Sequence, residues 1–193
     1  MSDQDHSESA MAHTQLRLPV AVLLDNVRSM YNVGAFFRAA DGVGLEKLFL
    51  CGITAHPPKK AITKTALGAE ETVGWEHDWD ANQMVERLRS AGFQIVAVET
   101  GADAVDLFEW RPRFPVCVMF GHEVDGLRSE LLEMAEVHVR IPMRGQKKSL
   151  NVATAGGVVL YELLRKWRRG ANSSLLLNDN EPTFVAPKVG ASE

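Results

Sequence analysis

The 193-residue chain has only two cysteines, Cys51 and Cys117, and both lie in apolar, strand-like runs with no CxxC spacing and no neighbouring histidine. That scarcity excludes a disulfide framework and a structural zinc site, and both side chains are expected to be reduced, buried thiols. Long hydrophobic runs are missing as well: nothing approaches the roughly 20 apolar residues that span a bilayer. The first residues, MSDQDHSESAMAHTQ, are polar and acidic rather than basic and then apolar, so they do not read as a secretory leader. A soluble, cytoplasmic protein with no membrane partner is expected. A basic excess is also absent. The net charge of -4 gives no global reason to expect nucleic acid, so any such reading must rest on local clusters. Nucleotide fingerprints are wanting too. The one GxG, Gly42 to Gly44, follows a helical pattern and precedes a strand, the reverse of the order a dinucleotide-binding turn requires. There is no P-loop, HExxH or GxSxG, which removes the usual support for phosphate transfer from ATP, zinc proteolysis and α/β-hydrolase chemistry.

What the chain does have is enough apolar residue, 46%, to bury one sizeable core. Residues 1–15 and 170–193 read as disordered tails, with Leu175 to Leu177 as a segment that could dock, and residues 16–169 as one domain. Within the domain, strands and helices alternate. PVAVLLDNV is a buried strand, NVGAFFRAADGVG a helix closed by glycine, and EKLFLCG the next strand. DANQMVERLRSAG, with Met84, Val85 and Leu88 at helical spacing, leads into the strand FQIVAVE. FPVCVMFG is a continuous apolar strand, LRSELLEMA a short helix, and VHVRIPM a strand that feeds the segment KKSLNVATAGGVVLYELL. Apolar strands alternating with helices predict an α/β fold, a mostly parallel sheet with helices on both faces. Ligand sites are then expected in loops at the C-terminal ends of the strands.

Positive charge is gathered in three places. Arg165, Lys166, Arg168 and Arg169 read as the solvated end of a helix, where cations complement the dipole. Lys59, Lys60 and Lys64 form a second group. Arg144, Lys147 and Lys148 precede a helix start, where positive charge opposes the dipole, and so suggest an anionic partner.

Three segments set polar side chains in turns where such a sheet has its loops. In DNVRSMYNVGAFFRAA, Asn32 starts a helix and Arg38 follows six residues later; the structural reading is an N-cap and a surface cation. FGHEVDGL is a glycine-flanked turn carrying Glu123, which a simple loop also explains. In IPMRGQKKSLNVATAGG, Pro142 and Gly145 shape a loop that delivers Ser149 and Asn151 to a helix mouth. There the two could serve merely as caps, with the small residues behind them allowing close packing.

In this order and spacing the three segments resemble the motifs of the SPOUT-class RNA ribose methyltransferases, the SpoU/TrmH branch. The likeness runs from about Leu18 to about Arg169 and is most specific in SLNVATAGGVVLYE, then in NVGAFFRAAD and GHEVDGL. The resemblance implies transfer of a methyl group from S-adenosylmethionine to a ribose 2′-hydroxyl of tRNA or rRNA. It also implies a C-terminal deep trefoil knot and a homodimer paired through the helices of the first and third motifs, with Phe36 and Phe37 as interface candidates. It implies catalytic roles for Asn32, Arg38, Glu123, Ser149 and Asn151. Cofactor contacts are implied, largely through backbone, at Thr100, Gly101, Gly121, Glu123, Ile141, Met143 and Leu150. RNA contacts fall to Arg38, Arg144, Lys147 and Lys148. The chain departs from the family pattern at His122, where relatives often have Asn or Ser, and at Val124 with Asp125, which replace a pair containing glycine.

A guanidinium is effectively always protonated, so Arg38 suits a phosphate clamp and stabiliser of developing charge better than a base. Glu123 could take the ribose proton. The rival readings are a non-catalytic RNA-binding module that keeps the fold, and a different α/β enzyme using a nucleotide cofactor.

Overall fold

A computed structural model describes residues 17–101 and 103–171. The two tails read from sequence, including Leu175 to Leu177, lie outside the described residues save for the last turn of the final helix. Among the described residues seven strands form one sheet in the order β3-β2-β1-β6-β4-β7-β5, and every neighbouring pair is parallel. The strands are β1 (Leu18–Asp25), β2 (Leu45–Cys51), β3 (Trp75–Asp78), β4 (Gln94–Val98), β5 (Val105–Asp106), β6 (Val116–Phe120) and β7 (Val137–Arg140). The helices are α1 (Met30–Val43), α2 (Lys60–Ala66), α3 (Ala69–Thr72), α4 (Ala81–Ser90), α5 (Ser129–Met134) and α6 (Val152–Ala171). No helix among the described residues is long and apolar enough to cross a membrane.

The inner strands β1, β4 and β6 are apolar because the sheet is covered there on both faces, and successive residues feed different cores. Val20, Val22 and Leu24 of β1 join one core with Val33, Phe36 and Phe37 of α1, Ile62 of α2 and Leu160 of α6. Ala21 and Leu23 join the other, with Met84, Val85 and Leu88 of α4 and Leu131 of α5. Cys51 and Cys117 lie buried and unpaired in this second core, and burial pushes the Cys51 thiol up to about 12.

Local chemistry sets the helix ends. Asp80 opens α4 by accepting from the N–H groups of Asn82 and Gln83 at 2.9 and 3.1 Å. Asn32 does not begin α1: the helix starts at Met30, and Ser29 is its cap, the hydroxyl accepting from the Asn32 N–H at 3.3 Å. Gly44, at φ 63°, closes α1 in the left-handed region. Phe36 and Phe37 are fully buried within the single chain, so they are core residues rather than interface candidates. The Phe36 ring stacks obliquely 5.1 Å from Phe120 and lies so close to Gly156 that a Cβ there would approach it to 2.2 Å. The small residues of α6 therefore serve to bring that helix against α1.

The basic end of α6 is not simply solvated. Lys166 turns inward, donating to the carbonyl oxygens of Leu107, at 2.7 Å, and Trp110, while Arg165 pairs with Glu162 at 2.6 Å. Since all strands run one way, the loops after β1, β2, β3, β4, β6 and β7 gather at a single edge of the sheet.

Candidate active site

At that edge the loop after β1 is held from several sides. Asp25, almost wholly buried at the strand end, accepts two bonds from the Arg128 guanidinium at 2.9 and 3.2 Å, fastening β1 to the start of α5. The Val27 N–H donates to Thr54 Oγ1 at 3.0 Å, and Asn26 Oδ1 accepts from the Ile53 N–H at 3.1 Å. With its base fixed, the loop presents the N–H groups of Arg28 and Ser29 outward.

Both N–H groups meet Glu123. Its carboxylate accepts from Ser29 N at 2.9 Å, Arg28 N at 3.1 Å and Asn32 Nδ2 at 3.0 Å. Asn32 Oδ1 in turn accepts from Asn151 Nδ2 at 3.2 Å. Asn151 Oδ1 then caps α6, accepting from the N–H groups of Ala153 and Thr154 at 2.9 and 3.2 Å. Asn151 is thus both a helix cap and a link to the neighbouring segment. The chain of contacts Glu123–Asn32–Asn151 joins residues 91 and 119 positions apart. Each amide is used at both ends, so neither can rotate without losing a partner.

Burial pulls the Glu123 carboxyl upward, but the donors from Ser29, Arg28 and Asn32 outweigh it and hold the group below its usual value. Glu123 is therefore a carboxylate with its lone pairs engaged, suited to fixing geometry and poorly suited to taking a proton. Ser149 and Arg38 stand outside the network. Ser149 is exposed two residues before Asn151, and Arg38 is exposed on α1, about 9 Å along the axis from Asn32.

The turn carrying Glu123 is tight. His122 and Gly126 form an antiparallel bridge, and His122 Nδ1 faces the N–H groups of Val124 and Asp125 at 3.3 and 3.2 Å. A Cβ on Gly121 would lie 2.2 Å from the Gly126 backbone, so only glycine fits. Two contributors were not read from sequence. Glu99, at the end of β4, accepts from the Leu127 N–H at 2.9 Å and holds this turn toward the Thr100 loop. Its only signal was an acidic residue closing an apolar strand. Ser29 was hidden because Asn32 looked like the better cap.

The loop after β7 and Thr100 after β4 line a cleft of about 390 Å³, within the range that holds small cofactors. Thr100, Ile141, Pro142 and Met143 line it together with Arg144, Lys147 and Lys148. The cleft thus brings together three of the residues expected at the cofactor with the basic cluster expected at RNA. Gly121, Glu123 and Leu150 are not among its lining residues. Gly101 adjoins Thr100 without lining it.

Comparison with known proteins agrees with this architecture. The model of the SpoU rRNA Methylase family matches residues 19–161. A tRNA (guanosine(18)-2′-O)-methyltransferase of Aquifex aeolicus is 32% identical over 169 residues, covering 86% of this chain and 79% of its own. The crystal structure of a TrmH/SpoU tRNA modifying enzyme of A. aeolicus superposes with a TM-score of 0.73 at 30% identity, covering 86% of this chain and 84% of that one. The AdoMet-bound rRNA methyltransferase of Sinorhizobium meliloti gives 0.71 at 32% identity, covering 76% and 56%.

Proposed function

This chain belongs to the SpoU rRNA methylase family, the SpoU/TrmH branch of the SPOUT class, and from that premise we propose that it methylates a ribose 2′-hydroxyl of structured RNA, tRNA or rRNA, using S-adenosylmethionine. Family membership and the likeness of fold support S-adenosylmethionine-dependent RNA 2′-O-methyl transfer as the general activity. The observation that carries the reading for this chain is the Glu123–Asn32–Asn151 contact chain, which unites the three motif segments, while the loop that leads to Asn151 also lines a cleft of cofactor size.

When bound, the cofactor supplies an activated methyl group on a sulfonium. Thr100, Gly101, Ile141, Met143 and Leu150 would hold it, largely through backbone. Asn32, Ser149 and Asn151 would orient the ribose hydroxyl. Glu123 keeps their frame in place through its three donors, and Arg38 clamps the RNA phosphate and stabilises charge as it develops on the oxygen. The hydroxyl proton is released at this exposed edge as the methyl group arrives. The knot belongs to the same proposal. Its support is that α6 lies against the 107–110 segment, with Lys166 bonded to the Leu107 and Trp110 carbonyls.

Titration calorimetry tests the cofactor. S-adenosylmethionine and its demethylated product are expected to bind and NAD is not; tight NAD binding with no response to S-adenosylmethionine would end the reading. For RNA, Lys147→Ala with Lys148→Ala is expected to weaken binding and flatten its salt dependence by about two counterions, leaving cofactor affinity unchanged. An unaltered salt slope would remove these lysines from the RNA surface.

We read the active form as a homodimer in the cytoplasm. Tyr31 on α1 and Tyr161 on α6 are each 54% exposed on packed neighbouring helices, an apolar surface suited to a second copy. Light scattering should give twice the chain mass, and a single-chain mass at micromolar concentration would contradict it.

A further inference from the structure

Away from the cleft, at the edge strand of the sheet, four rings form a ladder. Trp75, His77 and Trp79 project from one side of β3 and its exit, two residues apart, and His56 comes from the loop after β2. His56 stacks on Trp75 with centroids 5.6 Å apart and planes at 20°, and meets His77 at 4.7 Å. His77 meets Trp79 edge-on at 5.1 Å. The inner end of the ladder is packed against the core by Trp75, whereas the outer end, Trp79, is 74% exposed. His77 Nε2 is fixed to the Gly52 carbonyl at 3.1 Å and His56 Nδ1 to that of Pro57 at 2.9 Å. These rings are therefore held rigidly, and the last of them is offered to solvent.

Asp78 and Asp80 bracket Trp79 in sequence, and both are engaged locally, Asp78 accepting from the Asp80 N–H and Asp80 capping α4. Glu76 points to the opposite side of β3, where Lys47 and Arg87 neutralise it at 2.9 and 2.6 Å. The ladder side carries exposed Lys59, Lys60 and Lys64, on or just before α2, and none of the three forms an ion pair with a described residue. An exposed ring ladder with ammonium groups on the neighbouring helix, free of ion pairs with described residues, suits a nucleobase with its phosphates, whereas an apolar protein partner would leave these groups unpaired.

The ladder is also continuous with the candidate active site. Gly52 and Ile53 adjoin Asn26, Thr54 bonds Val27, and the next two residues, Arg28 and Ser29, donate to Glu123. From β6, which leads to Glu123, to β3 is three strand steps, about 14 Å at the usual spacing of ~4.8 Å.

Resting on the methyltransferase reading, we propose that Trp79, backed by His77 and His56, is a stacking platform for an unpaired base of the substrate RNA, a short distance along the strand from the methylated ribose, with Lys59, Lys60 and Lys64 meeting its phosphates. The substrate class is thereby narrowed to RNA whose target nucleotide lies in or beside a single-stranded loop.

The test compares the full chain with Trp79→Ala and Trp79→Phe. The probes are an RNA hairpin with an unpaired loop and a blunt RNA duplex of equal length, measured alongside methyl transfer to total cellular RNA. Trp79→Ala is expected to weaken hairpin binding between about 5-fold and 100-fold, the range of one base–aromatic stack, with duplex binding and S-adenosylmethionine affinity unchanged. Trp79→Phe should restore most of the loss. Equal losses on hairpin and duplex, or no loss on either, would overturn the platform; the second result would assign the patch to a protein partner. If the unaltered protein neither binds RNA nor transfers methyl groups, the broader reading falls and takes the platform with it. If it transfers normally and Trp79→Ala matches it, the platform alone falls.

Discussion

Replacing Arg38 by alanine is expected to lower single-turnover methyl transfer by roughly 100-fold or more while leaving folding and S-adenosylmethionine binding intact. The structure separates Arg38 from everything that holds the frame: it is exposed on α1 and takes no part in the Glu123–Asn32–Asn151 contacts. A surface arginine of that kind shifts stability by less than about 0.5 kcal/mol when truncated. Any large loss must therefore come from the reaction itself, and saturating RNA in a single turnover removes weakened binding from the comparison. Arg38→Lys should recover little, because a compact ammonium cannot reproduce the two-pronged guanidinium contact with phosphate. Full rescue by lysine would reduce the role to charge attraction. A wild-type rate in Arg38→Ala would remove Arg38 from catalysis.

The second large effect is expected at Glu123, and the pattern of variants matters more than the size of any one. Glu123→Ala leaves the N–H groups of Arg28 and Ser29 without their acceptor and frees the Asn32 amide, and with it the link to Asn151. Loss of that positioning should lower transfer by about 100-fold. Glu123→Gln keeps the shape and one acceptor oxygen, and should stay within about tenfold of wild type with an unchanged pH profile. A general base behaves otherwise: Gln would cost on the order of 1,000-fold and abolish the acid limb of the rate profile. The structure favours the first pattern because hydrogen bonds hold this carboxyl below its usual value. A lowered folded value stabilises the native state above the ordinary carboxyl range, near 4.5, and the contribution is lost as pH falls through the lower folded value. The frame should therefore stay intact across neutral pH and loosen only in acid.

What was legible beforehand divides along physical lines. The strands β1, β4 and β6 stand out because they are buried on both faces and read as apolar runs, β2 through its apolar end LFLC, and β7 through its alternating valines, with Val139 buried and His138 and Arg140 exposed. Helices α1, α4, α5 and α6 showed through apolar spacing or capping residues. Helix α2 was missed because it buries only Ile62 and Ala66, and β3 because an edge strand written WEHD is half-buried throughout. The two-residue β5 has no pattern to detect. In the candidate site, Asn32, Glu123 and Asn151 do meet, although no local signal could show contacts spanning 91 and 119 positions. Capping and a place in the site are not rivals for Asn151: its amide oxygen caps α6 while its nitrogen reaches Asn32. For Asn32 the local rule misled, since a serine three residues earlier was the better cap. Phe36 and Phe37 sit beside Arg38 in sequence but on the opposite side of the helix from solvent. Adjacent positions on a helix diverge by about 100°, so nearness to Arg38 carried no information about exposure.

The reaction proposed for this edge of the sheet is methyl transfer to a ribose oxygen. The most direct measurement incubates the purified protein with total RNA and S-adenosylmethionine carrying an isotopically labelled methyl group, then identifies every labelled nucleoside by mass spectrometry. The account predicts label on one 2′-O-methyl nucleoside and its disappearance with Arg38→Ala. Label found only on bases, or no label in RNA with cofactor bound, would contradict it.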